Sequence, residues 1–422
     1  MTVRDIRSLT RRFQVLLVLR FVPIGLFVTV FVLLMQDRGL SLGDIGLATA
    51  AQGVVMLFLE LPSGGLADAL GRKPVLLLAS GVWVLATVVL LLAHSVPMLA
   101  LAAALLGVFR ALDSGPLQAW FIDACLAADP DVDIEQRLAG ESVAICLSIG
   151  AGALLASGIV GIDGVAGLDP LVSPFVVALV LQLVGIVAIS LLMDEPRRGQ
   201  GWPAARAAVR SVPTVTREAV DLIRASHLLV ALVTAELLWG FGMFSFETLL
   251  PPRMAELAGG ADDAARVLGP VITAAWVLSA LGAAMAPRLV RRFGAPRAAF
   301  GLRIAHGIAV AGMAWAGGVA GLVVAYLACY WAHSATAPIH YGMVHRSVEA
   351  SHRATVVSAN SLTSQVGGAI SGIVLGALAD STSVTTAMFV SAVVLAAAAP
   401  LYLLGRTDRG GTTYDEPVPL HL

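Results

Sequence analysis

Charge is scarce in this sequence. Only 13% of its 422 residues are Asp, Glu, Lys or Arg, about half the share of a water-soluble domain, and that excludes an ordinary soluble fold. Cysteine is scarcer still. Cys125, Cys146 and Cys329 show neither paired nor metal-ligand spacing, so they read as packing residues, and neither redox chemistry nor a metal site is expected. Excess charge of one sign is lacking too, with 27 basic residues against 28 acidic ones, so no basic field invites nucleic acid. No G-x-x-x-x-G-K-[ST] loop occurs to cradle ATP. What remains is apolar: 58% of residues are hydrophobic and the mean hydropathy is +0.86. The bilayer is the expected solvent.

A helix needs about 20 apolar residues to cross the hydrocarbon. Such runs lie near 14–36, 44–67, 74–94, 97–117, 138–160, 174–193, 227–249, 267–287, 298–318, 320–342, 355–379 and 385–405, which predicts an all-α polytopic membrane protein of twelve spans. The basic N-terminus leads straight into the first run without a small-residue cleavage site, so it is expected to be a span and not a cleaved signal. Between spans, Lys and Arg divide 21 to 3, with only Arg38, Arg253 and Arg266 on the poorer side. By the positive-inside rule both termini are then expected in the cytoplasm. The longest polar interval, 194–226, is expected to be a cytoplasmic linker between two six-helix bundles, 1–193 and 227–405, followed by a cytoplasmic tail, 406–422. Its Arg206, Arg210, Arg217 and Arg224 suit either short amphipathic segments on an anionic leaflet or a plain solvated connection.

The halves repeat. Leu66-Ala-Asp-Ala-Leu-Gly71-Arg-Lys-Pro74 after span two aligns with Leu289-Val-Arg-Arg-Phe-Gly294-Ala-Pro-Arg297 after span eight, and Arg137 and Arg353 each lead into a glycine-rich span. The first of these loops matches the signature G-x-L-A-D-R-x-G-R-K at Gly64, Leu66, Ala67, Asp68, Gly71, Arg72 and Lys73, departing at Ala69. The chain therefore resembles the major facilitator superfamily of secondary transporters over nearly its whole length. The resemblance implies two pseudo-symmetric six-helix bundles around a central cavity lined by spans one, four, seven and ten. It also implies that Gly64, Asp68, Gly71, Arg72 and Lys73 form a latch between spans two and eleven, with Glu60 as a gate or latch partner.

An ionisable group at bilayer depth costs at least about 2.5 kcal/mol on insertion scales, so it marks a partner, a cavity or a function. The sequence reading places Arg20 in span one, Glu60 in two, Arg110 and Asp113 in four, Glu236 and Glu247 in seven, His306 in nine, and His333 and His340 in ten. Arg110 and Asp113 are three apart and can share a face. They also fall where the family carries R-x-x-q-G, whose Arg the resemblance links to proton coupling, with Asp113 standing for Gln and Gly115 one position late. Glu236, with no basic neighbour in sequence, is the leading proton carrier: a carboxyl that is neutral when enclosed and charged when hydrated can load on one side and release on the other. An alternative is a static ion pair between Glu236 and Arg20. Trp239, Phe244, Tyr330 and Trp331, with Arg20, Glu247 and His333, are candidate linings for a substrate cavity, although aromatic spacing of this kind also serves ordinary packing.

The resulting expectation is a transporter, not an enzyme, worked by the proton-motive force without a cofactor. It would be a monomer in the cell membrane whose partners are lipid, protons and a small molecule. The resemblance leans toward proton-driven export of drug-like or other amphipathic compounds. Export in this family usually accompanies a Gly-Pro pair in span five that Ser148–Gly158 lacks, so coupled or facilitated uptake of a small metabolite is the second expectation. A membrane enzyme built on His340, His345, Arg346, Glu349 and His352 is a remote third.

Overall fold

The computed structural model describes residues 3–130, 132–195, 201–349 and 352–406, and among them every regular element is helical. In chain order these are α1 (Val3–Asp37), α2 (Leu42–Leu70), α3 (Arg72–Leu91), α4 (Val96–Asp113), α5 (Pro116–Ala128), α6 (Ile134–Gly161), α7 (Ser173–Leu192), α8 (Trp202–Arg224), α9 (His227–Glu247) and α10 (Leu250–Ala258). Then follow α11 (Ala261–Phe293), α12 (Ala295–Trp315), α13 (Val319–Arg346), α14 (Arg353–Ser381), α15 (Val384–Ala397) and a 3₁₀ segment, Ala399–Arg406. Twelve stretches are long and apolar enough to cross a bilayer, and α4 with α5, α9 with α10, and α15 with the 3₁₀ segment each make one of them. The expected tail falls almost wholly on 407–422, outside the described residues.

Span four shows how local sequence overrides a hydropathy boundary. The apolar run suggests an end at 117, yet the stretch continues to Ala128 after a break at Ser114-Gly115. Gly115 adopts φ +94°, which favours glycine. Pro116 then pushes the residue before it out of the helical region and restarts the helix as its first residue. The break leaves Asp113 at the end of α4. In the interval expected to be a linker, α8 is a helix of 23 residues with Arg206, Arg210, Arg217 and Arg224 on it; residues 196–200 lie outside the described residues.

The chain forms two compact units: Met1–Val212 with Met254–Trp276, and Pro213–Arg253 with Val277–Leu422. In the first, α1 packs on α6 and α7, and α4 on α2 and α3. Phe13 stacks on Phe121 at 4.2 Å between ring centres, and Trp83 on Phe109 at 4.5 Å. In the second, α9 packs on α14 and α15, and α12 on α13 and α15.

The tightest crossings are made of backbone. A Cβ on Gly25 of α1 would strike Ile149 O of α6, and one on Gly152 of α6 would strike Val22 O. In the second unit a Cβ on Gly240 of α9 would strike Ser364 O of α14, and one on Gly367 would strike Leu237 O. Without water to drive helices together, such close backbone approach supplies the dispersion that holds them. All four equivalences share one offset: 240 − 25, 367 − 152, 364 − 149 and 237 − 22 each equal 215.

Two arginines extend the pattern. Arg38 donates to Leu90 O, Leu91 O and Ala93 O at 2.9–3.0 Å, capping the orphan carbonyls at the end of α3. Arg253 does the same for α12, reaching Ala314 O at 3.2 Å and Ala316 O at 2.8 Å. The two arginines are again 215 apart (253 − 38), whereas the carbonyls they cap are 223 apart (314 − 91 and 316 − 93), as are Gly71 and Gly294 (294 − 71). The repeat therefore slips by eight residues after span one or seven and recovers before span five or eleven. The third arginine on the sparse side, Arg266, pairs with Asp163 at 3.2 Å and Asp263 at 3.3 Å.

Candidate functional site

The second unit encloses a polar network drawn from five elements. Glu236 (α9), Arg303 (α12), His340 (α13), Asn360 (α14) and Tyr402 of the 3₁₀ segment are each at most 4% exposed. Arg303 has only donors and directs Nε and Nη2 at the Tyr402 hydroxyl, 3.4 and 3.3 Å away. That hydroxyl, used as an acceptor, turns its own hydrogen to His340 Nδ1 at 2.9 Å. Nε2 of His340 then carries the imidazole hydrogen, and it faces Asn360 Oδ1 at 3.3 Å and Glu236 Oε2 at 3.4 Å. The geometry sets the Glu236 carboxylate beside the His340 imidazole, within electrostatic reach of Arg303. Arg303 Nη1 and Asn360 Nδ2 are buried with no hydrogen-bond partner among the described residues, and each such group costs about 1–3 kcal/mol. A fold that needed only packing would not keep them.

A second cluster lies one to three helical turns along the same helices. Trp239, three residues after Glu236, donates Nε1–H to His333 Nδ1 at 3.0 Å. His306, three after Arg303, is fully buried, with its ring centre 5.9 Å from His333 and 5.3 Å from Phe246. Tyr330 stands against Phe246 at 5.7 Å and Tyr326 at 4.8 Å. Of the expected cavity linings, then, Trp239, Tyr330 and His333 meet. Phe244 is buried elsewhere on α9, Trp331 is half-buried with its backbone carbonyl against Gly282 of α11, and Glu247 is exposed.

In the first unit the partners differ from those the sequence suggested. Asp113 forms its ion pair with Arg20 of α1, not with Arg110, and Arg20 Nη2 also donates to Asp113 O at 2.9 Å. Arg110, three residues earlier, is exposed, within electrostatic reach of Asp113 and Glu60. The break at Ser114-Gly115 explains the choice, since it ends α4 with the Asp113 side chain facing α1. Glu236 and Arg20, the alternative ion pair, each have a partner within their own unit, His340 and Asp113. Arg20 and Asp113 border a cavity of about 30 Å³ with Ser80, Trp83, Phe109 and Gln182, room for about two waters. Glu60 is half-buried, and its Oε2 has no hydrogen-bond partner among the described residues.

The loop after span two engages its own unit. Gly71 adopts φ +100°, letting the chain turn straight from α2 into α3. Glu195 caps the new helix, accepting from the backbone N–H of Arg72 and of Lys73 at 2.8 Å each. Lys73 Nζ reaches Ser190 O and Met193 O at 2.7 Å, and Arg72 pairs with Asp123 and Ala119 O of α5. Gly64 faces open space, and the Asp68 side chain lies outside the described residues. Of the residues named for a membrane enzyme, His340 is interior, whereas His345 and Arg346, at the end of α13, and Glu349 are exposed. Among the described residues no three His, Cys, Asp or Glu side chains gather as a metal site would need.

A profile of the Major Facilitator Superfamily matches residues 15–332. The chain belongs to this superfamily. It is therefore a membrane protein of the secondary-transporter type, and solved structures repeat its fold. A point mutant of the nucleoside transporter NupG superposes with TM-score 0.77 at 15% identity, over 94% of this chain and 99% of that one. A bacterial homolog of the human lysosomal transporter Spinster gives 0.76 at 16%, over 96% and 97%. A POT family transporter in complex with 5-aminolevulinic acid gives 0.71 at 14%, over 94% and 96%. At these identities the likeness is one of fold. No curated protein matches the sequence.

Within the superfamily frame, the residues missed in the sequence are the informative ones. Arg303 sits in an apolar span of Ala, Gly, Leu and Ile. It was legible by subtraction, because 27 basic residues less the 21 and 3 between spans leave three inside, Arg20, Arg110 and Arg303. With His306 it gives span nine two ionisable side chains, although the resemblance does not count that span among those lining the cavity. Tyr402 carried no signal, and its role, like that of Asn360, depends on which helices meet.

Proposed function

We propose that the protein is a proton-coupled exporter of amphipathic small molecules in which Glu236 carries the coupled proton. The observation behind this reading is the Glu236–His340 contact inside a network of buried donors that leaves Arg303 and Asn360 only partly satisfied. Such a network costs stability, and a carboxyl beside an imidazole hydrogen can hold or release a proton as its surroundings fill or empty. The neighbouring Trp239–His333–Tyr330 cluster supplies aromatic faces suited to a cationic or flat apolar compound. Asp113, Arg110 and Arg20 form a second coupling element, and Glu60 with Gly64, Asp68, Gly71, Arg72 and Lys73 the gate. On the same reading the protein works as a monomer in the cell membrane, both termini and the 194–226 linker in the cytoplasm, drawing on the proton-motive force without a cofactor and catalysing no covalent step.

Uptake of a small metabolite is the second reading. It is favoured by the missing Gly-Pro pair in Ser148–Gly158 and by the fold shared with a nucleoside transporter. Sealed inverted vesicles with an imposed proton gradient, screened with cationic dyes and antibiotics, separate the two. Export predicts gradient-dependent accumulation that Glu236→Gln abolishes; accumulation only in right-side-out vesicles supports uptake. Accumulation undiminished in Glu236→Gln refutes the carrier assignment.

A further inference from the structure

His333 of α13 is hydrogen-bonded on one side only. Trp239 of α9 donates its Nε1–H to His333 Nδ1 at 3.0 Å. The two ring centres are 5.2 Å apart and their planes differ by 6°, so with the nitrogens that close the rings lie edge to edge in one plane. Phe246, His306 and Tyr330 stand around the imidazole at 5.8, 5.9 and 6.2 Å, tilted against it by 42°, 49° and 72°. These rings fix its orientation. An indole N–H can only donate, so Nδ1 is the accepting nitrogen and the imidazole hydrogen sits on Nε2. No hydrogen-bond partner takes that hydrogen among the described residues, and Nε2 is not enclosed as the two nitrogens of His306 are. Trp239 and His333 are both partly exposed.

We propose that the Trp239–His333 pair recognises cargo by reading a hydrogen-bond acceptor, a carbonyl oxygen or a ring nitrogen, on a planar uncharged compound. The inference rests on the reading of this cluster as a cargo surface, and it narrows the chemistry of that surface. Aromatic faces alone would take any flat molecule. A fixed N–H rejects one that has nothing to accept it, because binding would then bury an unpaired donor. A cation is disfavoured twice over. Its charged centre offers the N–H no lone pair, and the Arg303 guanidinium, within electrostatic reach of His333, repels it. Trp239 is the positioning residue of the pair. Released from the indole, His333 is free to carry its hydrogen on either nitrogen, and selection for an acceptor relaxes.

Three probes of nearly one shape test this. Quinoline carries a ring nitrogen, naphthalene carries no acceptor, and N-methylquinolinium carries a positive charge where quinoline has its lone pair. Binding to the purified full chain in detergent is followed by NMR of nitrogen-15 histidine, with the His333 signals assigned by their loss in His333→Phe. That variant also corrects for partition of each probe into the micelle. Wild-type His333 should show a hydrogen on Nε2 and a bare Nδ1. Quinoline alone should shift the Nε2 resonance, and it should bind about tenfold tighter than naphthalene, the worth of one hydrogen bond. His333→Phe should bind quinoline and naphthalene alike, and Trp239→Phe should mix the two hydrogen positions and weaken the preference. Equal binding of quinoline and naphthalene by wild type, binding of none of the three, tighter binding of the cation, or a preference that survives in His333→Phe overturns the proposal. No gradient is applied, so such a failure is distinct from that of the Glu236 carrier assignment, which vesicle accumulation decides.

Discussion

Asp113→Asn tests how the interior of the first unit holds its charges. The Arg20 and Asp113 side chains are 20% and 10% exposed, so the substitution strands a guanidinium in a largely dry setting. Breaking a buried pair in this way costs about 3–5 kcal/mol. Two features of the structure point to the lower end. Arg20 keeps its bond to Asp113 O, 2.9 Å, and the adjoining 30 Å³ cavity can admit water to the exposed charge. About 3 kcal/mol corresponds to a fall of roughly 6–12 °C in the melting temperature of a unit this size. Replacing both partners, Arg20→Met with Asp113→Leu, removes the stranded charge and should return the protein to wild-type stability or above it. Tryptophan fluorescence during heating in detergent reads the event, because Trp83 lines the same cavity. A double variant that melts as early as Asp113→Asn would refute the reasoning, as would Asp113→Asn melting with wild type.

Three further outcomes follow from the packing. Gly240→Ala should lower stability by about 1–3 kcal/mol through overpacking against Ser364 O, whereas Gly64→Ala, with open space around it, should gain up to about 1 kcal/mol from helix propensity; thermal melts compare them. Arg38→Ala should cost about 1.5–3 kcal/mol by uncapping α3, with faster amide hydrogen exchange in the last turn. Arg38→Lys should not restore protection, because an ammonium lacks the fork that spans three carbonyls. Glu195→Ala should lose about 1 kcal/mol and speed exchange at the amides of Arg72 and Lys73, an effect that an equal rate in wild type and variant would contradict.

Span number was legible because crossing a bilayer takes about 20 apolar residues wherever the chain packs. The break in span four was written in Ser114-Gly115-Pro116 but lay inside an apolar run, where hydropathy alone passes over it. The Gly71–Gly294 alignment was visible, yet identity between the halves stayed thin. The eight-residue slip is the reason: no single offset superposes Gly25 on Gly240 and Gly71 on Gly294 together. Glu236 and Asp113 stood out as costly residues. Their partners, Arg20, His340, Arg303 and Tyr402, come from other helices, so only packing could assign them.

The slip also supplies an address book. Subtracting 223 from Arg303 and His306 lands on Ser80 and Trp83, two walls of the water-sized hollow beside Arg20, while subtracting 215 from Glu236 lands on Phe21, Arg20's neighbour. The duplicated scaffold thus keeps a hydrophilic heart at one locus in both copies, wired with opposite polarity. In the first, a cation on the opening helix meets a carboxylate on the fourth; in the second, the opening helix brings the carboxylate and the fourth the imidazole.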